Sequence, residues 1–207
     1  MIKYVPKIVE YKNQAEALVE AGGDDIFKNS LTSIMYDNKN QVLAELSGSR
    51  DSYYIKSEQI PYIVKRAFVV SEDRNFYEHS GVDYKGVMRA IVALVQNEGE
   101  VTQGGSTITQ QLLKNNVFTN WTKEDGFMDK IKRKIQEQYL AIQVEKQLDK
   151  DSILESYLNT INLGQDCLGV QSAAQRYFNK DVNELNLSES ATIAAITQNP
   201  GRYNPIT

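Results

Sequence analysis

Glu72, Asp73, Arg74, Glu78 and His79 fall within eight residues in the stretch VVSEDRNFYEHSG (69–81), with Phe76 and Tyr77 threaded between them. A carboxylate held against an apolar wall is desolvated, and that raises its proton affinity and suits it to general acid or base work. Glu72 closes an apolar helical repeat, where Phe68, Val69 and Phe76 would surround it. A surface ion pair of Glu72 or Asp73 with Arg74 accounts for the same charges. His79 beside Gly81 equally suits a turn fixed by hydrogen bonds. It is the only histidine in the chain, so a histidine-rich metal site has no second member.

A different chemistry is written in QGGSTITQQLLKNN (103–116). Gly104 and Gly105 lead into a helix whose first turn holds Ser106, Thr107 and Thr109, with Ser106 placed to cap it. Hydroxyls and free N–H groups at a helix N-terminus favour an anion. Thr107, Gln111 and Lys114 share one face, so a polar stripe ends in a cation. A capped amphipathic helix with a solvated lysine explains the hydroxyls. It does not explain Gln110 and Gln111, adjacent and facing partly inward.

Arg133 and Glu137 lie one helical turn apart, with Lys130 and Lys134 nearby. An exposed pair of this kind is worth about 0.3–0.5 kcal/mol. The same residues could instead hold a second carboxylate beside cations facing a polyanionic substrate. Upstream, Lys123, Lys130, Lys132, Arg133 and Lys134 outnumber Glu124, Asp125 and Asp129, and Trp121, Phe127 and Met128 are interleaved. That mixture fits an anionic membrane surface as well as a solvated helix face.

Helices must position these groups. Pro61 suits a first turn, and Ile60, Ile63, Val64, Ala67 and Phe68 recur at helical spacing. Asp83 can cap a second helix bearing Val87, Met88, Ile91 and Val95, which stops at Asn97-Glu98-Gly99. The Ser106 helix is the third, and a long fourth carries Ile131, Ile135, Tyr139 and Ile142. Further helices are expected at 153–161, 170–178 and 191–196, the last closed by Asn199-Pro200. Ahead of them, a helical stretch near residues 15–21 stops at Gly22-Gly23. Two short strands then flank the turn Asp37-Asn38-Lys39-Asn40. The chain reads as mainly α with a small N-terminal β element.

At 207 residues there is ample chain for a buried core, and 41% apolar with 24% charged residues is ordinary for a globule. A net charge of −4 argues against a nucleic-acid partner. One cysteine, Cys167, excludes an internal disulfide. The longest apolar run, 90–95, is far short of the ~20 residues that span a bilayer.

Five stretches in order, EDRNFYEHSG (72–81), GGSTITQQLLKN (104–115), RKIQE (133–137), ILESYLN (153–159) and ATIAAITQNPGRYNP (191–205), resemble the peptidoglycan glycosyltransferase family. This is glycosyltransferase family 51, the module of class A penicillin-binding proteins and monofunctional transglycosylases. The resemblance departs after the fourth stretch, where NLGQDCLG stands in place of an aromatic pair followed by G-x-G-x-Y-G. It implies a lysozyme-like helical domain over 57–207, with a larger head lobe and a small flexible membrane-proximal jaw. Residues 1–56 would be a linker and β segment following a membrane anchor absent from this chain, at the extracytoplasmic face of a bacterial cell membrane.

The resemblance also implies a reaction: polymerisation of lipid II into β-1,4-linked glycan, with inversion at the anomeric carbon and release of undecaprenyl pyrophosphate. Glu72 and Glu137 would be the catalytic carboxylates. Asp73, Phe76, His79, Ser106, Thr107, Gln110, Gln111, Lys114, Arg133, Lys134 and Asn159 would bind substrate. No tightly bound cofactor is implied, and a divalent cation (Mg or Mn) could arrive with the substrate pyrophosphate. The implied partners are lipid II, the growing strand, the membrane surface and phosphoglycolipid inhibitors of the moenomycin type. A lysozyme-like hydrolase and a non-catalytic cell-wall scaffold are the alternatives. The hydrolase has no pyrophosphate to hold with so many cations, and the scaffold has no need of Glu72 and Glu137. No S-x-x-K or K-T-G signature of a penicillin-binding transpeptidase occurs.

Overall fold

A computed structural model describes residues 5–22, 27, 31–46, 50–96, 104–118 and 126–206. The chain divides into two compact units that interleave in sequence, Met1–Phe27 with Glu72–Ile153, and Lys28–Ser71 with Leu154–Thr207. The architecture is mainly helical, as a lysozyme-like helical domain requires. The first 56 residues, expected as a linker and β segment, contribute a helix to one unit and short strands to the other.

The first unit contains α1 (Val5–Gly22), α3 (Tyr84–Gln96), α4 (Ile108–Asn116) and α5 (Phe127–Gln147). α1 begins ten residues before the stretch expected from the sequence, and its middle turns pack on α5. There the Gln136 amide donates to the Tyr11 carbonyl at 3.0 Å, Tyr139 donates to Glu16 at 2.5 Å, and Ala15 is fully buried. Asp83 precedes α3 as expected. Partial burial pushes its carboxyl up, but the Gly86 N–H, the Asn75 amide and the nearby His79 and Arg89 bring it below the ordinary value. The side chains of Ile91 and Val95 lie outside the described residues. Phe76, Ile108, Leu112, Leu113, Leu140 and Ala141 form the apolar interior.

Gly81 is where α5 meets the loop that follows Glu72. Its φ is +91°, and a Cβ there would lie 2.5 Å from the Ala141 carbonyl carbon. Only glycine meets both conditions.

The second unit holds a hairpin of β1 (Ser33–Tyr36) and β2 (Val42–Leu46), antiparallel, with an irregularity between Met35 and Tyr36. The expected turn closes it, with Asp37 Oδ1 accepting from the N–H groups of Lys39 and Gln41. α2 (Tyr62–Glu72) runs to the unit boundary, with Val64 and Phe68 of the predicted face buried and Val69 buried beside it, and Phe68 packs edge-on against Tyr157. α6 (Lys150–Thr160), which enters this unit at Leu154, α7 (Val170–Phe178), α8 (Leu187–Gln198) and a short α9 (Pro200–Tyr203) follow. Asn199 ends α8 as expected, then caps α9 by accepting from Arg202.

Between α6 and α7, the atypical stretch NLGQDCLG turns through three consecutive left-handed residues, Gly164, Gln165 and Asp166. It buries Leu163 and Cys167 and lays β4 (Cys167–Leu168) parallel to β3 (Asp51–Ser52). Burial, the largest effect, pushes the Cys167 thiol up to about 11, too weak an acid to serve as a nucleophile near neutrality.

Candidate active site

The first, second and third sequence stretches converge inside the first unit. Glu72 ends α2 and is half-buried, and the Gln111 amide on α4 donates to its Oε2 at 2.8 Å. Asp73, one residue on, turns into the protein. Its Oδ2 accepts from the backbone N–H of Ile108 at 3.0 Å and from His79 Nε2 at 2.9 Å. The side chain that Asp73 meets is thus His79 and not the neighbouring Arg74.

α4 starts at Thr107, whose hydroxyl accepts from the Gln110 N–H and donates to the Gly81 carbonyl at 2.7 Å. The expected cap was Ser106. The chain caps one residue later because the Ser106 hydroxyl is taken by Lys134, which donates to it at 2.6 Å. Lys114 sits in the last turn of α4, three residues beyond Gln111.

On α5, Glu137 is the hub of the cationic cluster. Its side chain is 1% exposed, and it accepts from Arg133 on one oxygen and from Lys134 on the other, the latter at 3.0 Å. This is no solvated surface pair. A carboxylate this deep must be fully paired, and breaking such a pair costs about 3–5 kcal/mol. Lys134 therefore joins Glu137 on α5 to Ser106 at the start of α4.

One partly exposed carboxylate, oriented by an amide, thus accompanies two cations fixed by a buried carboxylate. The first can move a proton and the second can hold an anion. A family model described as Transglycosylase matches residues 39–207.

The chain belongs to the transglycosylase family. Penicillin-binding protein 1A of Clostridium perfringens strain 13 is 43% identical over 175 residues, 83% of this chain and 25% of that protein. Penicillin-binding protein 1A of Aquifex aeolicus strain VF5 is 43% identical over 173 residues, 84% of this chain and 23% of that protein. The Clostridium tetani protein of the same name is 39% identical over 183 residues, 87% of this chain and 22% of that protein. The chain spans about a quarter of the length of these relatives. As a transglycosylase domain it is a peptidoglycan glycosyltransferase of cell-wall synthesis.

Not every residue expected to bind substrate faces outward in this transglycosylase. Phe76 and Gln110 are fully buried, and Thr107 is 1% exposed. Phe76 packs edge-on against Tyr77 and His79 beneath the Lys150 ammonium, 4.5 Å from its ring centre. The Gln110 amide points to the Gly81 carbonyl at 3.5 Å. With Asp73 and His79, these residues line the interior between the segment after Glu72 and α4. Asn159 belongs to the second unit. Its amide donates to the carbonyls of Ile55 and Glu155, and its oxygen accepts from the Ile55 N–H. It is a backbone clamp.

Residues 119–125, including Trp121 and Lys123 of the expected membrane-facing stretch, lie outside the described residues, as does the side chain of Phe127. Met128 is exposed. Among the described residues, no group of three or more His, Cys, Asp or Glu side chains could hold a metal ion.

Sequence reading misses Glu145. Within QVEKQLDK it looks like one member of a solvated alternation of charge. The available signal was its place directly after Val144, on the apolar side of α5.

Proposed function

We propose that this domain polymerises lipid II, the acceptor's 4-hydroxyl displacing undecaprenyl pyrophosphate from the donor's anomeric carbon. The observation that carries the reading is the pairing of Gln111 with a half-buried Glu72, in the same unit as the Arg133–Glu137–Lys134 cluster. Glu72 takes the proton of the attacking hydroxyl as the new C–O bond forms on the face opposite the leaving group, which inverts α to β. The Gln111 amide donates to one Glu72 oxygen and so orients the carboxylate. The departing pyrophosphate gathers charge as the C–O bond breaks, and Lys114, Arg133 and Lys134 receive it through charge-assisted hydrogen bonds.

Glu137 acts in this scheme by fixing the two cations, since both its oxygens are already paired. Among the described residues, no three His, Cys, Asp or Glu side chains are grouped to hold a metal ion. A divalent cation entering with the substrate would be held by the substrate's own phosphates, and no step depends on it.

A lipid-linked substrate is met at a bilayer surface. Tyr84, Met88 and Val92 recur every fourth residue along α3 and are exposed, with Lys85 and Arg89 exposed beside them. Apolar side chains flanked by cations suit an anionic membrane surface. No helix among the described residues is long and apolar enough to cross a membrane. Attachment at the extracytoplasmic face therefore belongs to this proposal, as does binding of phosphoglycolipids of the moenomycin type at the cations.

Incubation with lipid II, with products resolved by size, tests the reading. Long glycan chains are expected. Cleavage of preformed glycan would favour a hydrolase, and absence of any product would favour a scaffold.

A further inference from the structure

The first turn of α4 is held by three consecutive residues. The Thr107 hydroxyl donates to the Gly81 carbonyl, the Ile108 N–H donates to Asp73, and the Thr109 hydroxyl donates to Glu145 at 2.5 Å. The first two anchors come from the segment that follows Glu72. The third comes from α5, the helix that carries Arg133, Lys134 and Glu137.

Glu145 is well placed to transmit position. Its side chain is 3% exposed, and its second oxygen accepts from Lys150 Nζ at 2.6 Å. The oxygen that receives Thr109 also lies 3.9 Å from His79 Nδ1, while His79 Nε2 is bound to Asp73. One buried carboxylate therefore faces α4, the start of α6 and the loop after Glu72 together. Two residues beyond Thr109, Gln111 reaches Glu72.

We propose that Glu145 is a positioning residue of the transfer reaction: by fixing the first turn of α4 to α5 through Thr109, it sets the Gln111-held Glu72 against the cations of α5. The proposal rests on the reading of Glu72 as the base. A small shift of α4 leaves both halves of the site intact and their separation wrong. Displacement of reacting groups by about 1 Å can cost on the order of a hundredfold in rate. Arg133 and Lys134 also touch Glu137, which lies eight residues before Glu145, about 12 Å along the same helix axis. The two carboxylates thus tie α5 down at separate points.

The experiment compares Glu145→Gln, Thr109→Val and Thr109→Ser in the full chain, each checked for folding by its thermal midpoint. Thr109→Val keeps the shape and loses the hydroxyl, whereas Thr109→Ser keeps the hydroxyl. Glu145→Gln and Thr109→Val should each lower kcat on lipid II about tenfold, with KM within about twofold. Thr109→Ser should retain near-parental kcat. The double variant Glu145→Gln/Thr109→Val should be little worse than either single one, because both break the same link.

His79 supplies a readout apart from catalysis. Its imidazole signals, the only ones in the chain, should move in Glu145→Gln. Parental kcat in folded Glu145→Gln and Thr109→Val, or a double variant that multiplies the two losses, would overturn the proposal. If Glu145→Gln does not fold, the Thr109 pair decides alone: equal kcat in Val and Ser variants overturns it. Should Glu72→Gln remain active while the Thr109 pair and the imidazole shift behave as expected, the assignment of the base fails and the link itself stands.

Discussion

Glu137 and Asn159 are both deeply buried and both polar, and they are satisfied in different ways. Glu137, in the first unit, is a charge enclosed by the charges of Arg133 and Lys134. Asn159, in the second, is a neutral amide whose partners are backbone groups of Ile55 and Glu155. The contrast extends to their surroundings. Asp73, His79, Glu145 and Lys150 make a second cluster of ionisable side chains in the first unit. In the second unit, Gln171 accepts from the Val182 N–H, and the Ser172 hydroxyl donates to the carbonyls of Asp51 and Leu168.

Desolvating a charge costs several kcal/mol even when it is well paired, whereas a hydrogen-bonded amide costs far less to bury. A fold in need of stability alone is served by the second arrangement. The first is spent where charge must stand at a fixed place for chemistry.

The comparison breaks most readily at Glu72. Glu72→Gln should keep the thermal midpoint and the Gln111 contact region, yet lose lipid II turnover by ~10²–10⁴-fold, the usual scale for loss of a general base. Turnover at a tenth of the parental rate would remove Glu72 from that role. Arg133→Ala comes next. It leaves Glu137 buried with one cation fewer, so the melting temperature should fall along with turnover. Affinity for a moenomycin-type phosphoglycolipid should fall by roughly 1.5–3 kcal/mol, the scale of one charge-assisted hydrogen bond. An unchanged affinity, measured by fluorescence displacement, would place the anion site elsewhere.

Asn159→Ala sharpens the other side. It orphans the Ile55 groups and should cost about 1–3 kcal/mol in denaturant unfolding. Turnover per folded molecule should be unaltered, and a selective loss of turnover would return Asn159 to the substrate site.

The smallest effect concerns Tyr54, whose hydroxyl donates to Glu155. Partial burial first, then the hydrogen bond and charge of Glu155, push its pKa up to about 12 from 10.0. A raised pKa means that the protonated phenol is favoured in the folded state. Its contribution is complete below pH 10 and is lost as pH rises through 12. Parental protein should therefore lose stability over that interval slightly faster than Tyr54→Phe, as followed by alkaline unfolding. Parallel curves would show that the contact contributes nothing.

Much of the frame was legible in sequence because helical burial is periodic. The 3.6-residue repeat from Ile60 to Phe68 located the buried face of α2, and the turn residues 37–40 located the hairpin. α1 was read too short, since its charged and polar residues obscure its apolar ones and its support at Tyr11 comes from Gln136 and Lys132 on α5, far along the chain. Two pairings among the candidate site residues could be suspected from residue type and order, and both lie in the first unit: Glu72 with Gln111, and Lys134 with Glu137.

By itself, then, the sequence determined which segments after residue 60 are helical and which residue types could carry proton transfer and anion binding. Local spacing decides both. Only the tertiary structure decided which polar side chains face outward and which lie behind them. It turned Phe76 and Gln110 inward, gave the Ser106 hydroxyl to Lys134 in place of the helix cap, and set Glu145 against Thr109. Each of those outcomes depends on the helix or loop that packs across from the residue, 26 to 36 positions away along the chain for the pairs Thr107–Gly81, Lys134–Ser106 and Thr109–Glu145. No local pattern of spacing carries that information.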